Sequence, residues 1–176
     1  YINIKMIIFI LGEDNYRALQ RKKEIINSFY EKNKNVQIIN FGLEDNKNID
    51  ACLNFFKNQS IFEEKKFGVV YNIFDIKDKK IINEFKEFLN DKKNIILIYE
   101  NKKPPQAFNF LLKKPAVFEK FEILKGKEWE SFVIEKVKEI GINFDKGALN
   151  FMSKAYEGDS FKLVTEIEKL SLLGKN

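Results

Sequence analysis

The chain has 176 residues, with 31 basic and 26 acidic side chains for a formal charge of +5, 44% hydrophobic residues, eighteen Phe, one cysteine and no histidine. Without histidine there is no Ser-His or Cys-His nucleophile pair, no imidazole general base and no His-containing zinc or iron site. The single cysteine, Cys52, excludes internal disulfides and multi-cysteine metal motifs, which fits a reduced, cytoplasmic setting.

The length suits one ordinary domain, or a core of ~120 residues with a small satellite. No run approaches the ~18 apolar residues of a membrane span, so no membrane partner is expected. The apolar opening Met6 to Leu11 is too short for a signal h-region, and residues 1–5, which precede Met6, carry little weight. The positive charge rests on 29 Lys beside only Arg17 and Arg21, with 23 Ile and 19 Asn, a composition of AT-rich coding rather than of a selected basic surface. Arginine is the usual bidentate reader of phosphate and guanine, and it is nearly absent.

Through the first 124 residues, short apolar runs alternate with helical periods. Met6 to Leu11, closed by Gly12, reads as a strand buried on both faces. Asp14 is placed to cap a helix carrying Tyr16, Leu19, Ile26, Phe29 and Tyr30. Val36 to Phe41 reads as a second strand, Ile49 to Phe56 as a short helix capped by Asn48, and Phe67 to Tyr71 as a third strand. Ile81, Phe85, Phe88 and Leu89 mark another helix, and Asn94 to Tyr99 is the most strand-like stretch. After Pro104-Pro105 come a helical patch, Phe108 to Leu112, and an edge strand, Val117 to Ile123. Strand alternating with helix, the strands short and nearly all apolar, predicts an α/β domain with a three-layer parallel sheet over 1–124.

From Lys125 the pattern becomes helical alone. Trp129, Phe132, Val133, Val137 and Ile140 make one face before Gly141; Asp145 caps a helix with Leu149, Met152, Ala155 and Tyr156, ended by Gly158; Asp159 caps a third with Leu163, Val164, Ile167 and Leu170. The prediction for 125–176 is a small three-helix domain. Its nine Lys are matched by nine acids, so the whole +5 falls on 1–124.

The first strand-to-helix turn is where an α/β nucleotide-binding domain holds phosphate, through G-x4-G-K-[ST]. It reads Gly12-Glu-Asp-Asn-Tyr-Arg-Ala-Leu, with one glycine, no GK[ST] and two carboxylates where phosphates would lie. The third strand ends without the acidic pair that would orient magnesium, so no nucleotide, metal or other cofactor is expected. The pairs Glu63-Glu64 and Asp75 with Asp78 read as solvated loop and helix ends, Cys52 as a buried small hydrophobe. The Lys runs at 65–66, 79–80, 92–93, 102–103 and 113–114 read mostly as solubilising. Asn58-Gln-Ser-Ile-Phe-Glu-Glu64 is more informative, because Ile61 and Phe62 stand in a polar loop where no sheet or helix period demands them. Phe62 is either an anchor folded back on the loop or, with Ile61, an exposed plug for a partner's pocket.

Gly12-Glu-Asp-Asn-Tyr16 after the first strand, Gln59-Ser-Ile-Phe62 before Lys65-Lys-Phe-Gly-Val-Val70, Asn94-Ile-Ile-Leu-Ile98, and Gly158-Asp-Ser-Phe-Lys-Leu163 leading into Glu166-Ile-Glu-Lys-Leu170 together resemble the delta subunit of the bacterial DNA polymerase III clamp loader. The likeness spans essentially the whole chain. It implies a degenerate AAA+-like (P-loop NTPase-type) α/β domain and a helical lid, in a non-catalytic subunit that has lost nucleotide binding. Phe161 stands three residues after Gly158, where active motor subunits carry an arginine in Gly-x-x-Arg. In delta subunits the loop matching Gln59, Ser60, Ile61 and Phe62 inserts its apolar pair into a pocket on the sliding clamp and helps open the ring. Ile61 stands where the family often has Leu, a swap of similar volume. Delta subunits also carry a helical collar domain, through which they join the other loader subunits, and the expectation is that it is absent from this chain. Primer-template DNA is an expected contact only within the complex. Two other readings stay open at this stage: a P-loop-like NTPase with a non-standard site, and a basic DNA-binding module.

Overall fold

A computed structural model describes residues 7–33, 36–58, 65–91 and 94–173. In chain order the elements are β1 (Ile7–Gly12), α1 (Asn15–Lys32), β2 (Ile38–Gly42), α2 (Asn46–Lys57), β3 (Phe67–Tyr71), α3 (Lys79–Glu87), β4 (Ile95–Glu100), β5 (Val117–Phe121), α4 (Gly126–Ile140), α5 (Lys146–Ala155) and α6 (Ser160–Leu173), with 3₁₀ turns at Ile73–Asp75, Phe88–Asn90 and Gln106–Leu112. The strands form one sheet in the order β2-β3-β4-β1-β5. The β1–β4, β2–β3 and β3–β4 pairs are parallel, with Ile7 opposite Ile96 and Phe67 opposite Ile95.

Burial follows position in that order. All six residues of β1 are buried, as are most of β3 and β4, because inner strands of a parallel sheet are covered on both faces. The edges β2 and β5 are only partly covered. Ile7, Phe9, Leu11, Val70, Ile96 and Ile98 face the apolar sides of α2, α3 and the Gln106–Leu112 turn. The opposite face meets α1, where the Phe29 and Phe67 rings lie 4.8 Å apart. The result within this unit is three layers. Gly68 is required on the α2 face, because a Cβ there would collide with the ring of Phe56.

Several boundaries and faces differ from the reading of the sequence. On α1 the buried residues are Ala18, Ile25 and Phe29 rather than Leu19, Ile26 and Tyr30, and Tyr30 is 55% exposed. A one-residue offset turns a helix by about 100°, and the contact of Phe29 with β3 decides which stripe faces inward. Asn48 is not the cap of α2. The helix starts three residues earlier, and extended Asp45 accepts the Asn48 N–H at 2.8 Å. β2 begins two residues later than expected, at Ile38, and Phe88 and Leu89 lie in a 3₁₀ turn after α3.

Contacts divide the chain into two units, Tyr1–Gly12 with Ala18–Lys120, and Glu13–Arg17 with Phe121–Asn176. The core of the second unit joins Trp129, Phe132, Val133 and Val137 of α4 to Met152 of α5 and Leu163, Val164 and Ile167 of α6. The Trp129 indole N–H donates to the Ser153 carbonyl at 2.7 Å, so the ring is buried with its polar atom satisfied. Asp145 and Asp159 cap α5 and α6 as expected, and Gly141, at φ +80°, closes α4. Ala155 is exposed, not inward, since α5 turns only Met152 fully into this small core.

Candidate functional site

The turn after β1 is built by its own carboxylate. Asp14, 4% exposed, caps α1 by accepting the Arg17 N–H at 3.1 Å, and its second oxygen accepts the Ser160 hydroxyl at 2.6 Å. Its backbone N–H donates to the Phe121 carbonyl at 2.9 Å, and the Arg17 guanidinium lies 3.8 Å from the carboxylate. A helix N-terminus attracts anions through its free N–H groups and its dipole. At α1 that place is filled by the chain's own anion.

Beside this turn is a cleft of about 350 Å³ lined by Glu13, Asp14, Asn15, Tyr16, Ile123 and the α5–α6 turn Glu157 to Phe161. It carries four carboxylates, and among the described residues no lysine or arginine lines it. Phe161 stands 55% exposed with its ring edge-on to Tyr16, 6.0 Å between centroids, and Gly158 holds φ +78°. Hydrogen bonding to the Lys162 N–H and side chain holds the Asp159 carboxyl below its ordinary range. The residues of this cleft do not fit a nucleotide. Among the described residues none that lines it neutralises phosphate, and its acids repel it.

Both arginines are engaged inside the protein. Arg17 Nη1 donates to the Glu122 carbonyl at 3.1 Å, with the guanidinium over the Phe121 ring. Arg21 forms a two-pronged pair with Glu119 at 2.7 and 2.9 Å, whose hydrogen bonds raise its pKa further.

The loop residues Gln59, Ser60, Ile61 and Phe62, with Glu63 and Glu64, lie outside the described residues. Its stem does not. Lys66, read from the sequence as half of a solubilising pair, is 9% exposed, and its ammonium donates to the carbonyls of Phe55, at 2.7 Å, and Asn58. Asn94, 3% exposed, donates from Nδ2 to the Phe56 carbonyl at 3.0 Å. These are end carbonyls of α2, which the helix itself leaves unpartnered.

Glu100 went unremarked in the sequence, although a carboxylate closing an all-apolar run is a visible signal. It is 6% exposed and accepts the Ile73 N–H at 2.6 Å. Burial pushes its carboxyl above the ordinary range, opposed by the N–H groups of Ile73 and Phe74. Cys52 is fully buried, its thiol pushed up to about 12 by burial. Among the described residues no cluster of His, Cys, Asp and Glu has the makings of a metal site, and no helix is long and apolar enough to cross a membrane.

No family model matches the sequence, and no curated protein matches it. Solved structures do match. The DNA clamp loader delta protein of Bacillus subtilis superposes with a TM-score of 0.59 and 15% identity over 97% of this chain and 54% of that one. Domain III of the Thermotoga maritima replication initiation protein DnaA gives 0.58 and 14% identity over 99% of this chain and 80% of that one. A Thermotoga maritima RuvB variant gives 0.59 and 11% identity over 97% and 58%. The chain spans about half the length of the delta protein it matches. The chain therefore shares with these proteins the fold of an α/β domain with a three-helix segment after it.

Proposed function

We propose that this chain is the ring-binding part of a clamp-loader delta subunit, acting in DNA replication by differential binding and not by catalysis. The observation that carries the reading is the match to the delta protein over 97% of the chain. The cleft at the β1–α1 turn supports it, because an acidic pocket whose helix N-terminus already holds Asp14 suits a subunit that does not use ATP. The residues we assign to the sliding clamp are Ile61 and Phe62, flanked by Ser60 and Gln59, in the segment that leaves α2 and enters β3. Other loader subunits and primer-template DNA are partners of the assembled complex in this reading, and the setting is the cytoplasm.

Fully burying Ile61 and Phe62 in a partner pocket contributes about 1.5–3 kcal/mol each, so ~3–6 kcal/mol for the pair. Only the share realised in the open ring and not in the closed one shifts the clamp toward opening. The test is equilibrium binding to the cognate clamp. The double variant Ile61→Ala, Phe62→Ala is expected to bind at least ~100-fold more weakly, since every 1.4 kcal/mol is about tenfold, whereas affinity within about twofold of the parent, ~0.4 kcal/mol, overturns the assignment. Micromolar ATP affinity would point instead to an NTPase, and tight DNA binding that falls steeply with salt to a DNA-binding module.

A further inference from the structure

In the unit formed by Tyr1–Gly12 and Ala18–Lys120, the large apolar side chains that stand exposed among the described residues are Tyr30, Leu112 and Phe118. Tyr30 stands by itself near the end of α1. Leu112 and Phe118 instead flank one short connection, between the Gln106–Leu112 turn and β5. Single exposed apolar residues are ordinary on a protein surface, and it is their grouping that calls for a reason.

A row of rings joins the two beneath the surface. Phe118 lies stacked on Phe9 with 5.3 Å between centroids, Phe9 meets Phe74 edge-on at 5.8 Å, Phe74 meets Phe108 at 5.1 Å, and Phe108 meets Phe110 at 6.1 Å. Phe108 and Phe110 belong to the same turn as Leu112, so this turn and the start of β5 rest on one core. The Phe118 ring is backed by Phe9 and exposed beyond it.

The charge around these side chains has one sign. From Gln106 to Lys120 the chain carries three lysines, Lys113, Lys114 and Lys120, and one acid, Glu119. Glu119 is turned to the other face of β5, where Arg21 holds both its oxygens at 2.7 and 2.9 Å. Alternation along the strand puts Lys120 on the side of Phe118. Lys113 and Lys114 are exposed, and among the described residues neither ammonium meets a carboxylate.

We propose that Leu112, Lys113, Lys114 and Phe118 form a docking surface for an acidic protein segment that brings an apolar side chain of its own. Apolar contact at the centre supplies the attraction, and the lysines at the rim select the partner, because complementary charge steers encounter and like charge is rejected. A nucleic-acid strand fits this face less well. It needs cations in a track along its backbone and ring faces on which bases stack. Here the cations gather at one turn, one of the two exposed apolar side chains is the aliphatic Leu112, and both arginines are engaged elsewhere. The inference does not depend on the clamp reading.

The test is a nuclear magnetic resonance titration of the isotope-labelled full chain with three probes: a short peptide of Asp and Glu around a Leu-Phe pair, the same peptide with Gly-Ser in place of Leu-Phe, and single-stranded oligo-dT. The first peptide is expected to shift the Leu112 methyl and Phe118 ring resonances. It should bind about tenfold more weakly to the double variant Lys113→Glu, Lys114→Glu. It should bind about fivefold more weakly to Leu112→Ser, which leaves the Phe118–Phe9 stack in place. Absence of shifts at Leu112 and Phe118 with millimolar peptide overturns the proposal, and that result needs no variant to fold. Unchanged affinity in a charge-reversed variant whose spectrum is otherwise that of the parent overturns it too. So does equal binding of the Gly-Ser peptide, which would leave charge alone, and tighter binding of oligo-dT at this face, which would make the occupant a nucleic acid.

Discussion

Replacing Asp14 by alanine removes, besides an ion pair with Arg17 at 3.8 Å, two hydrogen bonds made by one buried carboxylate, the cap on the Arg17 N–H and the acceptor of the Ser160 hydroxyl at 2.6 Å. Loss of an N-cap costs ~0.5–2 kcal/mol. Ser160 is 3% exposed, and a buried hydroxyl left without a partner costs a further ~1–3 kcal/mol. Because both effects flow from one group they do not simply add, and the expected loss is ~2–4 kcal/mol, a large part of the ~5–15 kcal/mol that holds a typical domain together. Asp14→Asn keeps an oxygen for the cap, which Asn supplies about as well as Asp, and should lose only ~1 kcal/mol, the charged share of the Ser160 bond. Urea denaturation of the parent, Asp14→Ala, Ser160→Ala and the double variant measures this as a cycle. The expected coupling is ~1–2 kcal/mol. A loss under ~0.5 kcal/mol for Asp14→Ala, the size of an ordinary surface substitution, or no coupling to Ser160, would refute the view that this carboxylate has taken over the helix N-terminus for structure.

Gly68→Ala drives a methyl into the Phe56 ring and should destabilise by ~1–3 kcal/mol; in urea, adding Phe56→Leu should make the pair less harmful than the sum of the single changes, and strict additivity counts against the close approach. Glu100 has a folded-state pKa above its unfolded value, so the native chain holds this proton more tightly and stability is lost as pH rises from the ordinary carboxylate range, ~4.3, through the folded value. Glu100→Gln keeps an oxygen for the Ile73 N–H without the charge. Its stability relative to the parent should therefore grow as pH rises from the ordinary carboxylate range through the folded value, and a difference that does not grow with pH refutes the burial effect. The Cys52 thiol, buried and pushed up to about 12, should react with Ellman's reagent only as fast as the chain opens, so that native labelling at the denatured rate contradicts its burial.

How much was legible depended on the range of the interaction that decides each feature. Phe67 to Tyr71 is found as a strand with the bounds its apolar, β-branched run implies, and Asp14, Asp145 and Asp159 cap the helices that follow them, since a cap is read within three residues. The α1 stripe was placed one residue off, because Leu19 and Ile26 are more apolar than Ala18 and only packing of α1 on β3 separates the two faces. Lys66 looked like one more solvated lysine. Its partners are eight and eleven positions back, at the end of a helix whose length periodicity leaves uncertain by a turn.

By itself the sequence determined the absence of histidine and disulfide chemistry, the alternation of strands and helices, the shift to helices alone after Lys125, and a first strand-to-helix turn with one glycine and no GK[ST]. Those are matters of residue type and local spacing. Tertiary structure decided what the acids and lysines do: that Asp14 meets a hydroxyl 146 positions away, that Glu100 is buried against the Ile73–Asp75 turn, and that Lys66 is a tie and not a surface charge. The physical reason is that the worth of a polar group depends on its solvation and its partner, and both are set only when distant segments close around it.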